Sequence, residues 1–367
     1  MKPYIAHELP LQNLDYRRLL ELVGEANAAL AKYDGLLQGI VNPAVLLSPI
    51  TTQEAVLSSK IEGTQATLDE VLEHDAGIQM DVFKTQDILE IVNYRRALML
   101  ASDYLRDRPI SLSLIRQMHK LLLDSVRGKD KEPGEFRRDQ NWIGAKGCTI
   151  DQATFVPVSP LQLQSALDDW AQYIQDNDID ALLQLAVVHA QFELIHPFKD
   201  GNGRIGRLLI PLFLYQKKKL ASPMFYLSAY LEENRDAYYE GLARISQADD
   251  WDGWIAFFLK AISVQATENA KKVHEILALY EAMKQRIVSI THSQYSIQIL
   301  DALFDRPIFQ TTELVKRTDI PKQTLLPLIR QIRESGHLKV IQEASGSRPA
   351  TLAFSELLNI AEGRKIL

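Results

Sequence analysis

The chain has almost no cysteine: Cys148 stands alone among 367 residues. No internal disulfide framework can form, and the composition is that of a protein of a reducing, cytoplasmic compartment. Long apolar runs are missing too. Nothing approaches the roughly 18 apolar residues of a membrane span, and the opening Met1-Lys2-Pro3-Tyr4 carries no apolar signal core. Net positive charge is also absent. The total of −6 gives no global electrostatic footprint for nucleic acid. From Thr291 to Leu367 ten Lys/Arg face eight Asp/Glu, a net of +2 that leaves −8 for the remainder. Internal repeats and low-complexity tracts do not occur. Nor does the G-x-x-x-x-G-K-[ST] phosphate loop, or the His-Arg-Asp and Asp-Phe-Gly segments of a protein kinase.

What is present is an ordinary globular composition, 46% hydrophobic and 24% charged, at a length suited to two or three domains. Most of it has helical periodicity. Helices are expected over Leu14–Leu36, ending near Gly35, and over Pro43–Ile61, stopping at Gly63. Others are expected over Lys84–Leu105, Ser111–Val126, Pro160–Gln175, Ile179–Ile195, Gly203–Lys218, Asn234–Ser246 and Asp250–Ile287. Asn141–Pro160 breaks the pattern. Short β-prone pieces around Trp142-Ile143 and Phe155-Val156-Pro157 flank turn residues Gly144, Gly147 and Asp151, the pattern of a hairpin on a helical body. The tail reads helix (Tyr295–Phe304), helix (Thr312–Arg317), helix (Pro321–Glu334), then strands over Leu338–Gln342 and Thr351–Phe354. That is the order of a winged helix-turn-helix. Pro327 is expected to kink or shorten the third helix. The fold class is therefore mainly α.

The densest chemistry lies in His196-Pro-Phe-Lys-Asp-Gly-Asn-Gly-Arg-Ile-Gly-Arg207. Gly201, Gly203 and Gly206 match G-x-G-x-x-G, but a long helix-forming segment precedes them, so the βαβ context of a dinucleotide fold is missing. Gly201 and Gly203 permit positive φ, and successive N–H groups there can form an anion nest facing a helix N-terminus. Arg204 and Arg207, three apart, can fork onto phosphate oxygens. Asp200 suits either a helix N-cap or a Mg²⁺ ligand beside a triphosphate. His196 has the chemistry of a general base near neutral pH. His189 and Phe198 read as core.

This stretch matches the Fic-domain signature without departure, and the chain resembles the Fic family of protein adenylyltransferases. The resemblance implies a Fic helical bundle with a β-hairpin flap. It also implies AMP transfer from ATP to a protein hydroxyl, with His196 as base, Asp200 as Mg²⁺ ligand, and Gly201, Asn202, Gly203, Arg204 and Arg207 on ATP. Tyr238 and Tyr239 resemble a tyrosine pair of the adenine pocket. Trp142, Ile143, Gly144, Phe155, Val156 and Pro157 would form the target-binding flap, by strand addition.

Upstream, Ser58-Ser-Lys-Ile-Glu62-Gly63 resembles the inhibitory-helix motif of self-regulating members. Ser58 and Glu62 lie four apart on one face, and Glu62 precedes a glycine C-cap, where a carboxylate opposes the helix dipole by ~0.3–1 kcal/mol. A surface glutamate near a helix end is the plainer reading of that residue alone. The resemblance, covering Thr51 to about Ile262, implies instead that Glu62 pairs with Arg207 and misaligns ATP.

Three regions are expected: 1–85 with the inhibitory helix, 86–288 catalytic, and 289–367 winged helix. In a DNA-binding version Lys322, Gln323, Thr324, Arg330, Arg333 and Arg348 would reach DNA, while a protein or homodimer contact suits the small charge excess better. Expected partners are thus ATP and a protein substrate, the chain itself included. Removal of AMP, transfer of another phosphate-linked group, and nucleotide-sensing DNA regulation remain alternatives.

Overall fold

A computed structural model describes residues 2–124, 130–145, 147–346 and 349–365. Lys146, Arg348 and the expected helix end at Val126 lie outside the described residues. The chain is mainly helical. It resolves into two compact units that interleave along the sequence: Met1–Gly35, Leu57–Gly63 and Val92–Thr267 in the first, Leu36–Val56, Thr64–Ile91 and Glu268–Leu367 in the second. No described helix is long and apolar enough to cross a membrane.

The first unit is built around the helix Ala181–Ile195, in which every residue from Leu182 onward is buried. A helix apolar all round must be wrapped on every side. Pro160–Gln175, Asn202–Gln216 and Arg235–Ala248 supply that wrapping. Asp180 starts the helix, its side chain accepting from the N–H groups of Leu182 (2.8 Å) and Leu183 (3.2 Å). Two buried indoles then lock it in place. Trp170 Nε1 donates to Val188 O at 2.9 Å and Trp254 Nε1 to Ala186 O at 2.8 Å. Each fills core volume without leaving a stranded donor, so truncation of either costs roughly 3–5 kcal/mol.

Several boundaries differ from the expected ones for identifiable reasons. Gly35 does not end its helix, which runs Tyr16–Gln38. Pro43–Ile61 divides at Leu47 into Pro43–Leu46 and Ser48–Ile61. The hairpin contracts to one antiparallel bridge, Ile143 to Phe155, around a tight turn at Ile150–Gln152. Pro157 offers no N–H to extend a ladder. The segment holds its shape through side-chain bonds instead: Trp142 Nε1 to Cys148 O (2.9 Å) and Thr154 Oγ1 to Ile143 O (2.9 Å).

In the second unit, Ser296–Asp305, Thr311–Thr318 and Lys322–Glu334 follow one another as helices. Strands β1 (Ile308–Gln310), β2 (Lys339–Gln342) and β3 (Thr351–Ala353) form an antiparallel sheet in the order β1-β3-β2. The helix-helix-helix-strand-strand order is present, with β1 and a closing helix Ser355–Glu362 added. Pro327 does not break Lys322–Glu334. Pro327 and Gln323, whose carbonyl it leaves without an N–H partner, are both exposed, so water replaces the lost bond. A helix absent from the sequence reading, Leu68–Asp75, packs Leu68, Leu72 and Ala76 against Ile308, Ala353 and Leu358. Its apolar stripe is only three residues long, too short for the periodicity to stand out.

Candidate active site

Pro197 bars His196 from continuing the helix. His196 sits instead in the left-handed region at φ 52°, ψ 62°, and caps Ala181–Ile195. That conformation costs a residue with a Cβ roughly 1–2 kcal/mol. The buried guanidinium of Arg137 holds it there, with Nε donating to His196 O (2.8 Å), Nη2 to Ile195 O (3.2 Å) and Nη1 to Asp139 O (3.2 Å). Nη2 also donates to Val158 O. The imidazole is half-buried, and burial lowers its pKa to about 4, so it is neutral at physiological pH. Its Nδ1 faces Glu193 O at 3.2 Å. Only a protonated Nδ1 can bond a carbonyl, which leaves the Nε2 lone pair free to accept.

The loop after His196 is clasped from both sides. Phe198 is fully buried and stacks on His119, ring centroids 3.7 Å apart and planes 9° from parallel. Asn202 closes the loop on itself: Oδ1 accepts from Phe198 N (2.8 Å) and Nδ2 donates to Phe198 O (2.9 Å). Its carboxamide is thereby committed to the backbone, leaving its N–H for any anion. His119, fully buried, uses both ring nitrogens: Nδ1 accepts from Gly134 N (2.8 Å), so Nε2 carries the proton and donates to Asp200 O (3.0 Å).

Gly201, at φ 78°, then opens the helix Asn202–Gln216. The Asp200 side chain is not its N-cap but lies beside it, Oδ1 accepting from Gly201 N (2.5 Å) and Arg204 Nη2 (3.2 Å). Asp200 Oδ2 makes no hydrogen bond among the described residues, and the side chain is 45% exposed. One half-exposed carboxylate with a spare oxygen fits Mg²⁺, which takes one or two carboxylates and completes its shell with phosphate and water. No cluster of three or more His, Cys, Asp or Glu suited to a metal occurs among the described residues.

Glu62 and Ser58 converge on the same helix. Glu62 lies one residue past Ser48–Ile61, and Gly63 at φ 101° turns the chain behind it. Arg207, 1% exposed, donates through Nε to Ser58 Oγ (2.8 Å) and through Nη2 to Ser58 O (2.9 Å) and Glu62 Oε1 (2.6 Å). Burial opposes the charge on Glu62, but Arg207, then Arg204 and His196, hold its carboxyl below the usual range. The approach depends on Gly203. A Cβ there would stand 2.2 Å from Glu62 Oε1 and 3.0 Å from Arg207 Nη1. The carboxylate thus sits over the first turn of the helix, where the dipole and the N–H groups favour an anion.

Glu62, Glu193, His196, Gly203, Arg207, Tyr238 and Tyr239 line one cavity of about 580 Å³, closed on another side by Trp142, Ile143, Gly144, Thr154 and Phe155. That volume suits a nucleotide-sized ligand. Tyr238 is buried and Tyr239 is 42% exposed, with Arg235 over its ring. Tyr238 Oη donates to His189 Nε2 (2.9 Å), and His189 Nδ1 donates to Gly206 O (3.1 Å), so His189 is structural. Of the flap positions, Val156 and Pro157 do not line this cavity.

Three residues escaped the sequence reading: Arg137, His119 and Glu193. Burial raises the Glu193 carboxyl to about 8, so it is mostly protonated at neutral pH. Its Oε1 lies against Gly206, where a Cβ would come within 2.2 Å. The signal for Glu193 was its i−3 spacing from His196. Arg137 and His119 bind backbone far along the chain and left no local signal.

Residues 20–103 match the family model described as Fic/DOC family N-terminal, and residues 109–214 the one described as Fic/DOC family. Protein adenylyltransferase fic-1 of Caenorhabditis elegans is 33% identical over 108 residues, 29% of this chain and 19% of that protein. Protein adenylyltransferase Fic of Drosophila grimshawi is 28% identical over 221 residues, 56% of this chain and 40% of that protein. The chain thus spans less than half the length of these relatives. The fold is also that of a Fic family protein from Desulfovibrio desulfuricans G20, at TM-score 0.60 and 19% identity over 96% of this chain and 98% of that one.

Proposed function

We propose that this chain, a member of the Fic/DOC family through residues 20–103 and 109–214, is a self-inhibited protein adenylyltransferase. It moves AMP from ATP to a Ser, Thr or Tyr hydroxyl of a target protein. His196 Nε2 takes the hydroxyl proton, the oxygen bonds to the α-phosphorus, and the bond to the β-phosphate bridge breaks to release pyrophosphate. The N–H groups after Gly201, with Arg204 and Arg207, bind the phosphates. Mg²⁺, when bound, neutralises phosphate charge, and Asp200 Oδ2 is the carboxylate offered to it. Tyr238 and Tyr239 flank the base.

One observation carries the inhibition: Glu62 Oε1 bonds Arg207 at 2.6 Å across Gly203. A carboxylate there occupies space a terminal phosphate needs and consumes the guanidinium that would hold it. ATP then binds with its α-phosphorus out of line. Functionally the chain divides into 1–85, 86–288 and 289–367, and a cytoplasmic location accords with its single cysteine. In the last region, Arg330 is paired with Glu334 (2.7 Å) and Arg317 with Asp305 (3.0 Å). Cations neutralised in this way favour a protein contact, a second copy included, over DNA.

ATP labelled on the α-phosphate tests the activity. Label should pass to protein from the Glu62→Gly variant and vanish when His196→Ala is added. Label passing only from the γ-phosphate would mark a kinase and overturn the proposal.

A further inference from the structure

One carboxyl in the cavity has no task so far. Glu193 lies one turn before His196 on the helix Ala181–Ile195, and its backbone carbonyl is the one that faces His196 Nδ1. The residue is only 9% exposed, and it lines the cavity. Oε1 is sealed against the backbone of Gly206, in the space a Cβ there would fill, and has no hydrogen-bond partner. That leaves Oε2 as the oxygen available to the cavity, and it too makes no hydrogen bond among the described residues.

The groups around this carboxyl set it at the end of the cavity where Arg207 and Glu62 meet. After burial, Arg207 acts on it most strongly, and then Glu62. Tyr238 and Tyr239 lie within its field from Arg235–Ala248. His189 and His196 share its own helix, His189 against the same Gly206. Arg207 and Glu62 are the pair that a terminal phosphate would separate. An ionised carboxylate beside them would repel that phosphate. A protonated one does the reverse, because it is a neutral donor whose acceptor is an anion, and such hydrogen bonds are among the strong ones. Burial favours the protonated form and raises the group to about 8, against the pull of Arg207. Leaving both oxygens of a buried carboxyl unmet is unfavourable. A ligand oxygen arriving at Oε2 removes that penalty.

We propose that Glu193 is a further ligand of ATP, donating a hydrogen bond through Oε2 to an oxygen of the terminal phosphate that displaces Glu62. This rests on the adenylyltransferase reading, in which that phosphate meets Arg207, and adds a second contact to it. Glu193 then favours a triphosphate over AMP, which lacks the phosphate in question. It also makes nucleotide capture depend on a proton. Once Glu193 ionises, the donor is lost and a negative charge faces the phosphate. Affinity is therefore held below pH 8 and falls as pH rises past it.

The test reads nucleotide binding by calorimetry on the full chain carrying Glu62→Gly, with ATP and AMP as the probes. Adding Glu193→Met keeps an unbranched side chain and removes the donor. ATP affinity at pH 7 should fall roughly tenfold, the loss of one hydrogen bond to a charged acceptor, while AMP affinity holds. Adding Glu193→Gln keeps an N–H donor and removes the titrating proton. ATP affinity should then stay near the Glu62→Gly value at pH 7 and stay level up to pH 9, whereas with Glu193 in place it drops severalfold between pH 8 and 9. Equal losses for ATP and AMP, or no loss in the methionine variant, overturn the assignment. So does a pH profile that Glu193→Gln leaves unchanged, and that profile decides alone if the methionine variant does not fold. Transfer of α-label is read beside binding. If Glu62→Gly transfers no label while the ATP pattern stands, the adenylyltransferase reading fails and Glu193 remains a triphosphate ligand. Label transfer with binding indifferent to both variants sinks the Glu193 assignment alone.

Discussion

Replacing Glu62 should raise activity and lower stability together, and the two magnitudes should be related. Severing a fully buried ion pair by removing one partner costs ~3–5 kcal/mol. Here 34% of the Glu62 side chain faces solvent, and Arg207 keeps Ser58 Oγ and Ser58 O as acceptors. Both facts reduce the cost, to about 1–3 kcal/mol. The same amount must be supplied by the terminal phosphate of ATP when it displaces Glu62 from Arg207. At 1.36 kcal/mol per factor of ten, this corresponds to roughly 5- to 150-fold in transfer rate. Glu62→Gly should therefore transfer AMP that much faster than the unaltered chain at equal bound ATP, with a lower denaturation midpoint. Glu62→Gln, which keeps the shape and loses the charge, should fall between them. The assay is the initial rate of α-label incorporation, paired with ATP binding by calorimetry. Three equal rates at saturating ATP would refute the argument, because the 2.6 Å pair would then hold nothing back.

Ser58→Ala removes the 2.8 Å bond to Arg207 Nε but leaves the Ser58 carbonyl, so the rate should rise severalfold, less than for Glu62→Gly, in the same incorporation assay. Arg137→Ala should cut transfer by Glu62→Gly at least a hundredfold with little change in ATP affinity, because it releases the backbone of the base rather than a ligand contact. Stability should peak near pH 6.5. Burial lowers His119 and His196 to about 4 and His189 to about 3, so stability present above the ordinary histidine value is lost as pH falls toward 4. Glu193, raised to about 8, works the other way: its contribution is present below the ordinary carboxyl value and is lost as pH rises to 8. Three histidines outweigh one glutamate below 6.5, and above it Glu193 acts without them, each group contributing up to about 1.4 kcal/mol per pH unit. Urea midpoints from pH 5 to 8.5 should trace this curve, and Glu193→Gln should abolish the alkaline fall. A flat profile would contradict both assignments.

The candidate site was legible because its chemistry is contiguous: imidazole, carboxylate, glycines and guanidiniums all fall between His196 and Arg207. Glu62 was legible only through its resemblance to a known motif, since its meaning depends on a partner 145 residues away. What could not be read was the support. Arg137 and His119 act on carbonyl groups, and carbonyls leave no mark in a sequence. The resemblance places Asn202 on ATP, and what no sequence shows is that its carboxamide bonds the Phe198 backbone. The regular helices Pro160–Gln175 and Lys322–Glu334 fell close to their expected limits because periodicity and a proline at each start, Pro160 and Pro321, agree there. The flap shrank to one bridge because proline chemistry outweighs β-propensity at Pro157.

Arg137 spans two tasks. One planar group grips the carbonyls of Ile195 and His196 on one side and of Asp139 and Val158 on the other. Asp139 and Val158 stand at the two roots of the flap. The backbone of His196 and the two roots of the flap therefore share a single mechanical joint, and a tilt of one tilts the other. Whatever presses on the flap presses on the imidazole as well. One side chain thus fixes the distance between the roots of the flap and the imidazole.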